Sequence, residues 1–212
     1  MTSRHAKKPY VNFPDEIKTK NVKKKEISIH IGEYHASKMP TIIHTLLGSC
    51  VAVCLHDRKK KIGGMNHILL PGAASMECFN DCARYGGNAM DLLIAKIRKL
   101  GGLRRNLTAK VFGGANLLPS ISYERSVGKK NVLFVLNYLA QIPIPVLSQD
   151  LGGNDSRKIF FHTDTGDVYL KRSLSVHYQN ILDQEKKALR KIQNNPDSEF
   201  IFFHEDEGYT RS

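Results

Sequence analysis

Between residues 41 and 70 the chain carries three apolar runs, 41–47, 50–55 and 65–70. They are separated by Gly48-Ser49 and by the charged stretch 57–61, which includes Arg58-Lys59-Lys60-Lys61. Each run is too short for an ordinary helix and is bounded by turn-forming residues, so all three read as strands. Short links between successive strands predict a meander, mainly antiparallel. Period-two alternation over residues 26–31 adds an earlier strand, with 32–40 as a connection.

Downstream, residues 72–87 read as a loop with a short helix near 78–85. Ala89, Leu92, Leu93, Lys96 and Ile97 recur at helical spacing, and Gly101-Gly102 stop that helix. A strand is expected over 107–112, a turn over 113–116 and a second helix over 131–141. Residues 144–147 read as a strand, 149–154 as a loop, and 158–162 with 168–171 as a hairpin. This order predicts an α+β or α/β layered sandwich: a mixed, mostly antiparallel sheet with helices packed on it.

Three segments are expected. Residues 1–25 hold eight Lys or Arg against Asp15 and Glu16, half of the net charge of +12, and read as a basic flexible tail. Residues 26–174 form the main domain. Residues 175–212 comprise a charged helix over 178–193, with the narrow stripe Ile181, Leu189 and Ile192, and an acidic tail carrying Phe200-Ile201-Phe202-Phe203. The basic charge is not interleaved with stacking aromatics and Trp is absent, so a nucleic-acid module is not expected. No apolar run is long enough to cross a bilayer, and the N-terminal stretch has no apolar core of a leader, so a cytoplasmic protein is expected.

Gly48-Ser49-Cys50 is the most informative spot. A Gly before a Ser-Cys pair, between two apolar strands, places a thiol at a backbone break that can aim N–H groups at an oxyanion. A thiol needs a neighbouring base to become a nucleophile. Cys50 lies about nine residues before the centre of the 57–61 turn and His67 about eight after it, so a hairpin brings them together. A third residue should orient the imidazole. His44 and Thr45 are the candidates, on opposite faces of one strand. The other reading of Cys50 is an inert buried thiol.

The spacing Cys50/Cys54 with Cys78/Cys82 also invites a zinc reading. Two ligands four residues apart on one strand stand roughly 13 Å apart, too far for one tetrahedral ion. No metal is expected. Gly63-Gly64, Gly113-Gly114 and Gly152-Gly153 lack the frame of a phosphate loop and read as turns.

The block Leu47-Gly48-Ser49-Cys50-Val51-Ala52-Val53-Cys54-Leu55, followed by Ile62-Gly63-Gly64-Met65-Asn66-His67-Ile68-Leu69-Leu70-Pro71, closely resembles the chemoreceptor glutamine deamidase family, CheD. Tyr85-Gly86, Ala89-Met90-Asp91-Leu92-Leu93, Lys110-Val111-Phe112-Gly113-Gly114-Ala115, Asn131-Val132, Asp150-Leu151-Gly152-Gly153 and the stretch 157–166 follow in the family order. The resemblance implies a fold shared with toxin-type deamidases and a Cys-His-Thr site with Cys50 and His67. The family threonine stands six residues before the cysteine; here that place is His44, and Thr45 follows it. Thr45 is taken as the third catalytic residue. Lys130 stands where the family tends to have Arg.

The implied activity is hydrolysis of glutamine side chains to glutamate on methyl-accepting chemotaxis receptors. It would run through a Cys50 thioester with an oxyanion site at Gly48 and Ser49, and without a cofactor. A chemotaxis phosphatase is a further implied partner. The alternative is a regulatory module that binds such partners without catalysis.

Overall fold

The computed structural model describes residues 24–70, 78–118, 120–173, 181, 183–188 and 190. The element order is β1 (Lys25–Ser28), β2 (Tyr34–Ser37), β3 (Thr41–Leu47), β4 (Val51–Asp57), β5 (Ile62–Ile68), α1 (Cys78–Lys99), β6 (Leu107–Gly113), α2 (Val127–Gln141), β7 (Val146–Leu151), β8 (Ser156–His162) and β9 (Val168–Ser173). The strands form two sheets, β1-β3-β8-β9 and β2-β5-β4-β6-β7. Pairing is mostly antiparallel, with β1–β3 and β6–β7 parallel. The class is therefore α+β with mixed sheets. Among the described residues no helix is long and apolar enough to cross a membrane.

The layers follow from which faces are apolar. Strands β4 and β5 are buried at every position, as expected for central strands covered on both sides. Val51, Val53 and Leu55 face Met90, Leu93, Ile97, Val135 and Leu139 on the helices. Cys50, Ala52, Cys54 and Met65 face Ile43, Leu47, Ile159 and Phe161 of the other sheet. The order is helices, five-stranded sheet, four-stranded sheet, with one core in each gap.

The meander expected over residues 41–70 is half correct. β4 and β5 form the hairpin, but β3 belongs to the other sheet, between β1 and β8. Its sequence gives the reason. Residues 41, 43, 45 and 47 are buried and 42, 44 and 46 only partly so, the pattern of a strand with one covered face. Gly48-Ser49 is thus a crossover between sheets, not a hairpin turn.

Other differences are local. Residues 78–99 form one helix in place of a short helix, loop and second helix. Its buried stripe includes Ala89, Met90, Leu93, Ile94 and Ile97, so Leu92 and Lys96 lie to the side of it. α2 starts at Val127, four residues before Asn131, because the Ser126 hydroxyl accepts from the Lys129 N–H and caps it. Pairing with β6 extends β7 through Leu151, into the expected loop. The connection 32–40 contains β2, which pairs with β5. The first strand begins at Lys25, and Lys24 forms an ion pair with Asp164 at 2.8 Å, so regular structure reaches into the expected tail. The rest of that tail, Cys78, Cys82 and the cluster 200–203 lie outside the described side chains.

Candidate active site

The β4–β5 register pairs Ala52 with His67. Cys50 lies two residues before Ala52 and shares its buried face. Cys50 and His67 are therefore diagonal neighbours on one face of the five-stranded sheet, and no hydrogen bond joins the thiol to the ring. The hairpin expected to bring the two together is present, with Cys50 two residues from the position directly opposite His67. Both side chains line a cleft of ≈ 250 Å³ with Thr45, Ile29, Glu185 and Gln184.

β3 crosses above this face and chooses between His44 and Thr45. Thr45 points inward, and its Oγ1 lies 2.8 Å from His67 Nδ1. His44 points to the other face, where its ring packs on Phe160 with centroids 5.6 Å apart. Thr45 Oγ1 also donates to the Ile29 carbonyl at 2.7 Å. A hydroxyl has one proton, so in the second contact the imidazole must donate. That places the ring proton on Nδ1 and leaves a lone pair on Nε2. His67 Nε2 is buried and has no hydrogen-bond partner. Burial first, then the nearby His30, hold the His67 pKa down to about 3, so the ring is neutral at physiological pH.

The 48–50 crossover is anchored from one side. The Gly48 carbonyl accepts from the Ala115 N–H at 2.9 Å, and the Cys50 carbonyl from the Gly114 N–H at 2.7 Å. The Ser49 carbonyl accepts from Asn131 Nδ2 at 2.8 Å, and Asn131 Oδ1 accepts from the Leu70 N–H at 2.9 Å. In a trans peptide the C=O and the following N–H point opposite ways. Fixing the carbonyls of Gly48 and Ser49 therefore aims the N–H groups of Ser49 and Cys50 together toward the cleft, the arrangement of an oxyanion site. Gly113 and Gly114 have φ of 118° and 68°, and a Cβ on Gly113 would run into the Cys50 carbonyl. Glycine is required there for both reasons.

Those two N–H groups meet a carboxylate. Glu185 Oε1 accepts from the Ser49 N–H at 2.8 Å, Oε2 accepts from Ser49 Oγ at 2.7 Å, and the Cys50 thiol lies 3.5 Å from Oε1. The Cys50 N–H also favours the charged form of this carboxylate. The sulfur is thus buried, the environment named in the alternative reading of Cys50. Cys50 is 1% exposed: it belongs to the core between the two sheets, and Glu185 lies against its thiol. Burial and the adjacent Glu185 charge push the Cys50 thiol well up, so here it is a thiol and not a thiolate. Burial likewise raises Glu185 against the pull of its Ser49 and Cys50 donors.

Gly48 does not owe its place to an unusual φ. A Cβ there would stand 2.8 Å from Glu185 Oε1 and from Ile181 Cγ2, and 2.5 Å from Leu117 Cδ1. Its lack of a side chain lets the C-terminal segment come close. Cys54 shares the buried face but packs among apolar side chains, and burial raises its thiol far above the ordinary range. Among the described residues no three His, Cys, Asp or Glu side chains are grouped to hold a metal ion.

Sequence reading missed two parts of this arrangement. Asn131 was visible only as a helix start, yet it ties the Ser49 carbonyl to Leu70. Glu185 was visible only as one charge on a charged helix; its signal was its place one turn after Ile181, inside the apolar stripe. Nearby, the fully buried Arg157 donates to the Asp150 carboxylate at 2.5 Å and to the Gly152 carbonyl. The Gly152 N–H donates to the Gly113 carbonyl at 2.9 Å, so this cluster braces the turn under Cys50.

Residues 69–172 match the family described as CheD chemotactic sensory transduction. A "Probable chemoreceptor glutamine deamidase CheD 1" of Shewanella oneidensis is 41% identical over 188 residues, 88% of this chain and 91% of its own length. A "Probable chemoreceptor glutamine deamidase CheD 2" of Chromobacterium violaceum is 45% identical over 69% of this chain and 73% of its own. A "Probable chemoreceptor glutamine deamidase CheD" of Hahella chejuensis is 39% identical over 77% of both.

Proposed function

The chain belongs to the CheD family, and we propose that it is a cysteine-dependent hydrolase converting glutamine side chains of chemotaxis receptors to glutamate. Cys50 is the nucleophile, His67 the general base and acid, and Thr45 the residue that sets the imidazole. The observation that carries this reading is the Thr45 hydroxyl, committed as donor to Ile29, which leaves the His67 Nε2 lone pair free in the cleft that Cys50 lines.

His67 Nε2 takes the thiol proton as sulfur attacks the carboxamide carbon. The N–H groups of Ser49 and Cys50 hold the oxyanion. The C–N bond breaks, the proton leaves with ammonia, and a thioester remains. Water, deprotonated by the same nitrogen, hydrolyses it to a carboxylate and restores the thiol. These residues suffice without a cofactor.

The substrate glutamine stands on the helical cytoplasmic bundle of a methyl-accepting receptor, so the protein works in the cytoplasm. A chemotaxis phosphatase presenting a similar helix would enter the same cleft. Residues 26–174 are the deamidase unit, with a basic extension before and an acidic one after. A likeness to toxin-type deamidases accords with a cysteine placed where a crossover meets a central strand.

Mass spectrometry of the receptor cytoplasmic domain tests the proposal. The purified protein should raise specific glutamine peptides by about one dalton and release ammonia, and Cys50→Ala should abolish both while remaining folded. Persistent conversion by the Cys50→Ala protein would remove Cys50 from the mechanism.

A further inference from the structure

The product of the reaction proposed above is a γ-carboxylate on a helix, bonded beside the nucleophile. Glu185 presents that group within this chain. It lies in helical residues 183–188 and is 7% exposed, with each oxygen taken by a Ser49 donor and the Cys50 thiol beside it. Ile181, one turn earlier on the same face, packs with Ala115 and Leu117. Burying a carboxylate is costly unless its oxygens are met, and here they are met by the amide that would otherwise hold the oxyanion. Gly48 leaves the room for both side chains. A merely structural anchor would not need the nucleophile's own N–H groups.

We propose that Glu185 is an internal product mimic, and that the helical segment bearing it is an autoinhibitory strap that must leave before a receptor helix can enter. The proposal rests on the deamidase reading. It makes the resting enzyme competitive with itself. Substrate then binds only the fraction of molecules whose strap is open, so apparent affinity falls by that fraction.

The test uses the full chain. Glu185→Ala should speed iodoacetamide labelling of Cys50, located by peptide mass, by about tenfold or more. Ile181→Asp should do the same with the Glu185 charge still in place, separating loss of cover from loss of a neighbouring charge. With the receptor domain as substrate, Glu185→Ala should lower KM about tenfold and leave kcat within twofold.

Glu185→Gln supplies a further readout. It places a carboxamide where the carboxylate sits, so the chain should hydrolyse that introduced carboxamide back to glutamate, releasing ammonia and gaining about one dalton. The double variant with Cys50→Ala should not. Unchanged labelling in Glu185→Ala and Ile181→Asp overturns the strap. A Glu185→Gln protein that keeps its introduced carboxamide while still deamidating receptor overturns the product-mimic assignment and leaves the deamidase reading standing. No conversion of either substrate sinks the deamidase reading itself.

Discussion

Replacing Thr45 by Val keeps the shape of the side chain and removes one oxygen. Two buried groups then lose their partner: the His67 Nδ1–H, 2.8 Å away, and the Ile29 carbonyl, 2.7 Å away. Each orphaned buried group costs about 1–3 kcal/mol, and the added methyl returns a little under 1 kcal/mol. The expected loss of stability is about 1–5 kcal/mol, read from urea unfolding. Activity should fall for a separate reason. In the proposed reaction His67 gains a proton, and a hydrogen bond to a charged ring is worth about 1.5–3 kcal/mol. At 1.36 kcal/mol per factor of ten, kcat/KM should drop roughly 10- to 150-fold. Without its acceptor the ring is also free to carry its proton on Nε2, where it is no base. Ammonia release from the receptor domain measures the effect, and Thr45→Ser, which keeps the oxygen, should recover most of it. A Thr45→Val protein within about twofold of wild type in activity and within about 0.5 kcal/mol in stability would refute both the tautomer assignment and the role drawn from it.

His67 also predicts how stability depends on pH. Its folded pKa is near 3, below the ordinary value of 6.5 for an unfolded histidine. Between those values the unfolded chain holds a proton that the folded chain does not. Stability is therefore full above pH 6.5 and lost as pH falls toward 3, by up to about 1.4 kcal/mol per unit from this group. His67→Gln should flatten the difference between urea midpoints at pH 7 and pH 5, and an unchanged slope would count against a buried neutral ring. Asn131→Ala removes the bonds to the Ser49 carbonyl and the Leu70 N–H. It should cost about 2–4 kcal/mol and lower kcat more than it raises KM, because the N–H groups of 49 and 50 lose their aim. A rise in KM alone would show that the crossover is held by other contacts.

The nearness of Cys50 and His67 was legible because both flank a hairpin whose turn, 57–61, is written in charge. Strand register then follows from counting. Residues 41–47 were legible as a strand but not as a member of a second sheet. Their alternation shows that one face is covered, and only the packed structure shows that β8 lies beside them and β4 beneath them. The choice between His44 and Thr45 turned on that missing fact. In a meander the two faces are equivalent to a reader of sequence; in a two-sheet sandwich only the inner face meets His67. Helix α1 was read short because Gly86-Gly87 looks like a stop, yet the helix passes through both glycines. Glu185 was hidden by distance: it lies 135 residues from Cys50, and no local pattern tells a carboxylate that fills a cleft from one that faces water.

The carbonyl anchors beneath residues 48–50 have a consequence for how such a catalyst can change over evolutionary time. The mount of the sulfur is secured by the N–H groups of Gly114 and Ala115, just after β6, and by one amide on α2. The rim that an incoming helix would touch is made instead by β1, β3 and the segment near residue 185. Because the two are different stretches of chain, the rim can be rewritten for a new client while the chemical apparatus keeps its aim. Divergence of targets in this lineage should therefore appear as drift at the mouth of the cleft over an unmoving floor.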